Sequence, residues 1–139
     1  MLKEFSTRTT LPASDIARAR RFYEEVLGLE PIQVTPDGVV YESGAADAPT
    51  VPGWAPRSTF LLSAARDVQR GNQNQMGFFV RGIEEIVARL QSRGVVFEEF
   101  HPAGSPSPTV VVAIQEGRGR LARFKDSEGN ILGLVQYGG

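Results

Sequence analysis

The chain has few side chains that could bind a metal or act as a nucleophile. Its 139 residues include a single histidine, His101, and no cysteine. The lack of cysteine excludes thiolate catalysis, iron–sulfur clusters and cysteine-ligated zinc. A single histidine excludes any metal site that takes two histidines from one chain. Since His101 stands at the start of a loop, we interpret it as a solvated side chain and not as a general base.

Two polar residues could instead bind a ligand directly. Arg8 carries a planar, permanently charged guanidinium that suits an anionic or carbonyl group, although a surface or interface ion pair is the alternative. Gln75 can both donate and accept a hydrogen bond, either to a ligand or within the fold. Strand alternation places Thr10 on the same face as Arg8, and Phe79 on the same face as Gln75.

Aromatic side chains could supply an apolar wall for such a ligand. Trp54 lies in a segment rich in Ala, Pro and Gly, where little core packing is needed, so we interpret it as a ligand contact. Tyr41 and Phe60 lie in strand-like segments and could equally pack in the core. No catalytic or metal-ligating residue is assigned. The predicted ligand-binding residues are Arg8, Thr10, Tyr41, Trp54, Phe60, Leu62, Gln75 and Phe79.

Two helical patterns of the same design indicate an internal repeat. The first runs from a predicted N-cap at Ser14 to a stop at Gly28, and the second covers 83–93 with a stop at Gly94. Corresponding positions lie about half the chain apart, which is typical of a duplicated unit. We therefore predict a single domain over 1–139 built from units at about 5–66 and 74–137.

The segments around each helix alternate in a way that predicts strands. Each unit has the order βαβββ, which is an α+β arrangement. Two long segments, 45–57 and 102–119, are predicted to be loops that flank a pocket. The predicted strands are 6–11, 30–34, 38–43 and 58–63 in the first unit, and 75–80, 95–100, 120–125 and 130–136 in the second.

Three strings in this order resemble the vicinal oxygen chelate superfamily of glyoxalases, bleomycin-resistance proteins and extradiol dioxygenases. The resemblance implies two βαβββ modules that form a cupped mixed sheet, with helices outside and the ligand in the cup between the sheets. It also implies a homodimer. The strings are Leu11 to Asp15 leading to Arg21 to Leu29, Met76 to Val80 leading to Arg93 to Val95, and Phe124 to Ile131.

Metal-dependent members of that superfamily place one ligand, usually His or Glu, on each of four strands. The corresponding positions here are Arg8, Phe60 or Leu62, Gln75 and Gly133. Only Gln75 offers an oxygen, and a divalent ion needs several nitrogen or carboxylate ligands. A guanidinium at ~4 Å would repel the ion by about 4 kcal/mol per unit charge at an effective dielectric of ~20. We therefore expect neither metal nor other cofactor.

The sequence thus predicts a metal-free protein that binds an unidentified small organic molecule. The alternative is a metal-independent enzyme that uses Arg8, Gln75 and a carboxylate such as Glu98 for proton transfer. A glyoxalase-like metal lyase or a dioxygenase follows from the fold alone, which does not determine function.

Composition adds no other partner. The net charge of −1 gives no field that would attract nucleic acid or an anionic membrane. No apolar stretch is long enough for a signal peptide or a membrane span, so we expect a cytoplasmic protein.

Overall fold

The computed structural model describes residues 1–44, 57–66 and 71–138. The chain divides into two compact units, Met1–Gln69 and Arg70–Gly139. Each unit contains one four-stranded sheet in which a single strand pair is parallel. Among the described residues, no helix has the length and apolar character needed to cross a membrane. The mixed sheets and few helices confirm the predicted α+β class.

The first unit has the strand order β1-β4-β3-β2, with β1 and β4 parallel and the other neighbours antiparallel. Its elements are a 3₁₀ turn (Leu2–Glu4), β1 (Thr9–Ala13), α1 (Ile16–Arg21), a π-helical turn (Phe22–Val26), β2 (Pro31–Thr35), β3 (Gly38–Ser43) and β4 (Ser58–Ala64).

The start of α1 differs from the prediction by one residue. Asp15, and not Ser14, is the N-cap, because its carboxylate accepts a hydrogen bond from the Arg18 backbone N–H at 3.0 Å. The side chain of Ser14 instead accepts from Arg18 Nη2 at 3.4 Å. The helical segment stops as predicted near Gly28, whose φ of +75° suits a residue without a Cβ.

Aromatic packing fixes which face of the first sheet α1 covers. Tyr23, from the π-helical turn, stacks on Tyr41 of β3 with ring centroids 5.7 Å apart and contacts Phe60 of β4 at 5.6 Å. Leu11 and Leu62 are buried on the same face. On β1, β3 and β4, the residues that alternate with these buried side chains therefore point away from α1.

The second unit has the equivalent strand order, β5-β8-β7-β6, with β5 and β8 parallel. Its elements are β5 (Met76–Phe79), α2 (Ile83–Ser92), β6 (Val112–Ile114), a tight turn (Gln115–Gly117), β7 (Gly119–Lys125) and β8 (Ile131–Tyr137).

Two contacts orient α2 on this sheet. The backbone N–H of Ile83 donates to Gln136 Oε1 at 2.9 Å, and Glu84 forms an ion pair with Arg120 of β7. Gln136 and Arg120 are paired neighbours in the sheet, so their side chains lie on the same, α2-covered face. The helix stops before Gly94, with φ of +92°, as predicted.

The strand predicted at 95–100 is wrong. That segment makes only isolated bridges, Phe97 with Phe124 and Phe100 with Thr109, and the strand that completes the sheet is β6, inside the predicted loop 102–119. β6 reaches β7 through the short turn Gln115–Gly117. Since closing a short hairpin costs less chain entropy than closing a long connection, the apolar run before β7 takes the edge position.

Gly38 supports a test of how closely β3 and β4 approach. A Cβ at this buried position would lie 2.7 Å from the backbone oxygen of Leu62. We expect Gly38→Ala to lower the free energy of unfolding by about 1 to 3 kcal/mol, because the backbone must shift. The control is Gly71→Ala, where no heavy atom lies within 4 Å. Urea denaturation measures both, and an equal effect of the two substitutions would contradict the close approach.

Candidate functional site

The face of each sheet that points away from its helix is where the predicted ligand residues were expected. In the first unit this face carries Thr10 and Leu61, which are paired neighbours on β1 and β4. Arg8 precedes β1 and is exposed, as is Thr10. Arg8 takes part in none of the ion pairs found among the described residues. Its role in ligand binding stays a prediction.

Three of the predicted ligand residues lie on the opposite, α1-covered face. Tyr41 and Leu62 are fully buried, and Phe60 is 2% exposed. Tyr41 and Phe60 pack on the ring of Tyr23 and on each other. Their placement therefore supports a core role and not the predicted ligand contact. Trp54 lies outside the described residues.

The pairing register also corrects one of the four metal-ligand positions. Since Arg8 corresponds to Gln75, Thr10 corresponds to Gly77. Gly77 pairs with Gly133 in the second unit, and Thr10 pairs with Leu61 in the first, so Leu61 is the counterpart of Gly133. The predicted position, Phe60 or Leu62, is therefore wrong, because the corresponding residue is Leu61, which lies between them. Because side chains alternate along a strand, a shift of one residue moves the predicted side chain to the other face of the sheet. The pairing register of β4 could not be predicted from the connection that precedes it.

In the second unit, strand alternation is as predicted. Phe78 pairs with Leu134, which follows the same parity as Gln136, so both point toward α2. Gln75, Gly77 and Phe79 have the opposite parity and lie on the face away from α2. We call this face, which also carries Leu121, Arg123, Gly133, Val135 and Tyr137, the α2-distal face of the second sheet.

The side-chain amide of Gln75 is used within the fold. Its Oε1 accepts from the Ile131 backbone N–H at 2.9 Å, and its Nε2 donates to Asn130 Oδ1 at 3.2 Å. Asn130, which is fully buried, donates in turn to Asp126 Oδ2 at 2.8 Å. Gln75 therefore ties the start of β8 to the segment before β5, which is the structural alternative considered for it.

Because Gly133 has no side chain, the side chains of Asn74 and Leu121 occupy the space above it on the α2-distal face. A Cβ at Gly133 would lie 2.8 Å from the amide nitrogen of Asn74 and 3.4 Å from Leu121 Cδ1. The neighbouring residue on β5 is Gly77, which also has no side chain. The Asn74 amide thus rests directly over the backbone of β8.

Arg123 is the neighbour of Gly133 on the other side, and the sequence analysis did not single it out. Its Nη2 donates to the backbone oxygen of Asn72 at 2.7 Å, and its Nε lies 3.1 Å from Glu98 Oε2. The Nε atom is buried and has no hydrogen-bond partner among the described residues. The parity of β7 relative to the Gly129 turn was the signal that could have identified Arg123.

Two aromatic rings complete the α2-distal face. Phe79 and Tyr137 lie with ring centroids 5.8 Å apart and planes inclined by 30°. Both side chains are half-buried. This face of the second sheet therefore combines a guanidinium, an amide and two aromatic rings, a composition suited to an organic molecule that carries a polar group.

A second polar cluster lies on the α1 side of the first unit. Glu24 Oε2 accepts from Arg20 Nε at 2.7 Å and from the Tyr41 hydroxyl at 2.8 Å. The hydrogen bond from Arg20 lowers the pKa of Glu24, and burial together with the bond to Glu24 raises the pKa of Tyr41. Both residues are thereby held in their ordinary charge states, which suits a structural role for the cluster.

The four positions at which the family resemblance implies metal ligands do not fit a metal ion here. They hold Arg8, Leu61, Gln75 and Gly133, which supply a cation, a hydrocarbon, an amide already engaged in the fold, and no side chain. Elsewhere in the described ranges, no group of three or more His, Cys, Asp or Glu residues could hold a metal ion. The chemistry of this donor set therefore disagrees with the metal that the fold implies.

Comparison with known proteins identifies relatives of the fold. Residues 6–133 match the family model of the Glyoxalase/Bleomycin resistance protein/Dioxygenase superfamily. No curated protein matches the chain in sequence. Three solved structures that it resembles are less than 25% identical to it, and this similarity concerns the fold alone.

These three structures illustrate how varied the proteins of this fold are. The fosfomycin resistance protein FosX from Listeria monocytogenes has a TM-score of 0.65 and 15% identity over 96% of this chain and 93% of that one. Lactoylglutathione lyase from Agrobacterium tumefaciens has a TM-score of 0.63 and 17% identity, over 95% of this chain and 92% of that one. The antibiotic binding protein TnmS3 from a Streptomyces species has a TM-score of 0.59 and 24% identity, over 96% of this chain and 98% of that one.

The structural role of the buried amide network can be tested at Asn130. We expect Asn130→Ala to lower the free energy of unfolding by about 2 to 3 kcal/mol, because buried polar atoms of Asp126 and Gln75 lose a hydrogen-bond partner. The control is Asn72→Ala on an exposed residue, with a change within about 0.5 kcal/mol. Chemical denaturation provides both values, and a neutral Asn130→Ala would show that the network does not hold the turn.

Proposed function

Because the chain belongs to the Glyoxalase/Bleomycin resistance protein/Dioxygenase superfamily, we propose that it is a metal-independent member that binds a small organic molecule. The observation that carries the proposal is the set of residues at the metal-ligand positions. Arg8, Leu61, Gln75 and Gly133 stand where the resemblance implies metal ligands, and they supply a cation, a hydrocarbon, an engaged amide and no side chain.

The α2-distal face of the second sheet supports binding of an organic ligand. Phe79 and Tyr137 offer aromatic surface, and Arg123 and Asn74 offer hydrogen-bond donors beside Gly133. Ligand sites in proteins combine apolar walls with a few polar groups in this way. Among the structures of similar fold, TnmS3 is an antibiotic binding protein, which is the kind of function proposed here.

The described contacts do not favour the enzyme alternative. Gln75 uses both ends of its amide to hold β8, and Glu98 forms an ion pair with Arg123. We therefore carry ligand binding forward as the function.

A thermal-shift screen in the presence of EDTA tests metal-independent binding. The library contains antibiotics and aromatic metabolites. A ligand present at about 100 times its Kd stabilises the folded chain by about 2.7 kcal/mol, which raises Tm by several degrees. We expect the same shift with EDTA and with added zinc, manganese, nickel or iron. A bound stoichiometric metal, or a ligand shift that EDTA abolishes, would contradict the proposal.

We also propose that the chain forms a homodimer. β2 is an edge strand of the first sheet, and it exposes two large apolar side chains, Ile32 at 57% and Val34 at 50%. A second copy that covers them would remove this apolar surface from water.

Substitution on β2 tests the dimer. We expect light scattering at micromolar concentration to give twice the mass of the chain for the wild type, and Ile32→Glu to shift it toward the monomer because a charge would be buried in the contact. Val96→Glu is the control, since Val96 is 83% exposed and belongs to the second unit, not to β2. A monomeric wild type would overturn this proposal.

A further inference from the structure

From the surroundings of Gly133 we infer that the ligand carries a carboxylate, and that Arg123 and the amide of Asn74 bind it. This inference rests on the proposed function and names the ligand class: an aromatic carboxylate. Arg123 and Gly133 are paired neighbours on β7 and β8, and both lie on the α2-distal face. Arg123 therefore places a positive charge directly beside a residue that has no side chain.

The contacts of Arg123 orient its guanidinium without using all of its donors. The Nη2 atom donates to the Asn72 backbone oxygen at 2.7 Å, and the Nε atom faces Glu98 at 3.1 Å. A guanidinium carries five N–H bonds, so most of them remain for another acceptor. No hydrogen bond to Nη1 occurs among the described residues. A carboxylate can accept two parallel N–H bonds from such a planar group.

The charge balance at Arg123 favours an anion. Its side chain is 19% exposed, whereas that of its partner Glu98 is 45% exposed. Glu98 is therefore better solvated and offsets the guanidinium charge only in part. A cationic ligand on this face would meet a largely desolvated positive charge, whereas a carboxylate would gain a charge-assisted hydrogen bond.

The glycine pair beside Arg123 leaves a space that the Asn74 amide fills, and the carboxylate enters this space when the amide turns aside. Neither Gly77 nor Gly133 has a side chain, and the Asn74 amide lies over Gly133 at the distance where a Cβ would collide with it. The amide of Asn74, which is exposed, can rotate toward a ligand and donate a second hydrogen bond. The aromatic body of the ligand then packs on Phe79 and Tyr137, which lie on the same face.

The test compares an acid with its neutral isostere, using 1-naphthylacetate and 1-naphthylacetamide as probes in isothermal titration calorimetry. We expect the wild type to bind the acid at least about 10-fold more tightly than the amide, as one charge-assisted contact implies. Arg123→Gln should remove this preference. Arg120→Gln is the matched control, because Arg120 lies on the same strand and also pairs with a glutamate, but on the α2-covered face. It should leave the preference unchanged.

A second variant guards against loss of folding in Arg123→Gln. Gly133→Ala displaces the end of the exposed Asn74 side chain, which lies 2.8 Å from the new Cβ, and should leave Tm nearly unchanged. We expect it to weaken binding of the acid by about 10-fold, because the Asn74 donor is lost and the space is reduced. Unchanged binding of the acid in Gly133→Ala would overturn the inference.

The outcomes separate this inference from the proposed function. Equal binding of acid and amide, or an acid preference that survives Arg123→Gln, would overturn the carboxylate assignment and leave small-molecule binding intact. Failure of both probes to bind would also overturn it. The proposed function itself would be overturned by the screen: by the absence of any ligand in EDTA, by a ligand shift that EDTA abolishes, or by a bound stoichiometric metal.

Discussion

The hydrogen-bond network around Asn130 is the interaction on which the second sheet depends. Asp126 Oδ1 accepts from the backbone N–H groups of Glu128 and Asn130, so it closes the turn between β7 and β8. Asn130 and Gln75 then connect that turn to β5. Because each of these buried polar groups would be costly without a partner, the network admits one register for β5 and β8.

That register decides what the α2-distal face can bind. With Gln75 fixed, Gly77 and Gly133 fall side by side, and Arg123 and Asn74 fall beside them. Gln75 is a structural residue, since both ends of its amide serve the fold. The positive charge on this face is the guanidinium of Arg123.

The two units keep one architecture and fill it differently. The first has the same strand order, and the aromatic contacts of Tyr23, Tyr41 and Phe60 pack its helical segment on the sheet. Its helix also widens into a π-helical turn, which brings Glu24 to the Tyr41 hydroxyl. Each helix covers only one face of its sheet, so strand parity separates the residues packed under the helix from those on the opposite face in both units.

The sequence by itself determined the repeat, the α+β class, both helices and the faces of β5, because these follow from local periodicity and from stops such as Gly28 and Gly94. It also determined the poor metal-donor set. Tertiary structure alone decided the register of β4 and the replacement of 95–100 by β6, because strand pairing is non-local and adjacent residues on one strand face opposite sides. The face of Arg123 follows from its parity relative to the Gly129 turn, whereas its place beside Gly133 and Asn74 depends on which residue of β8 it meets.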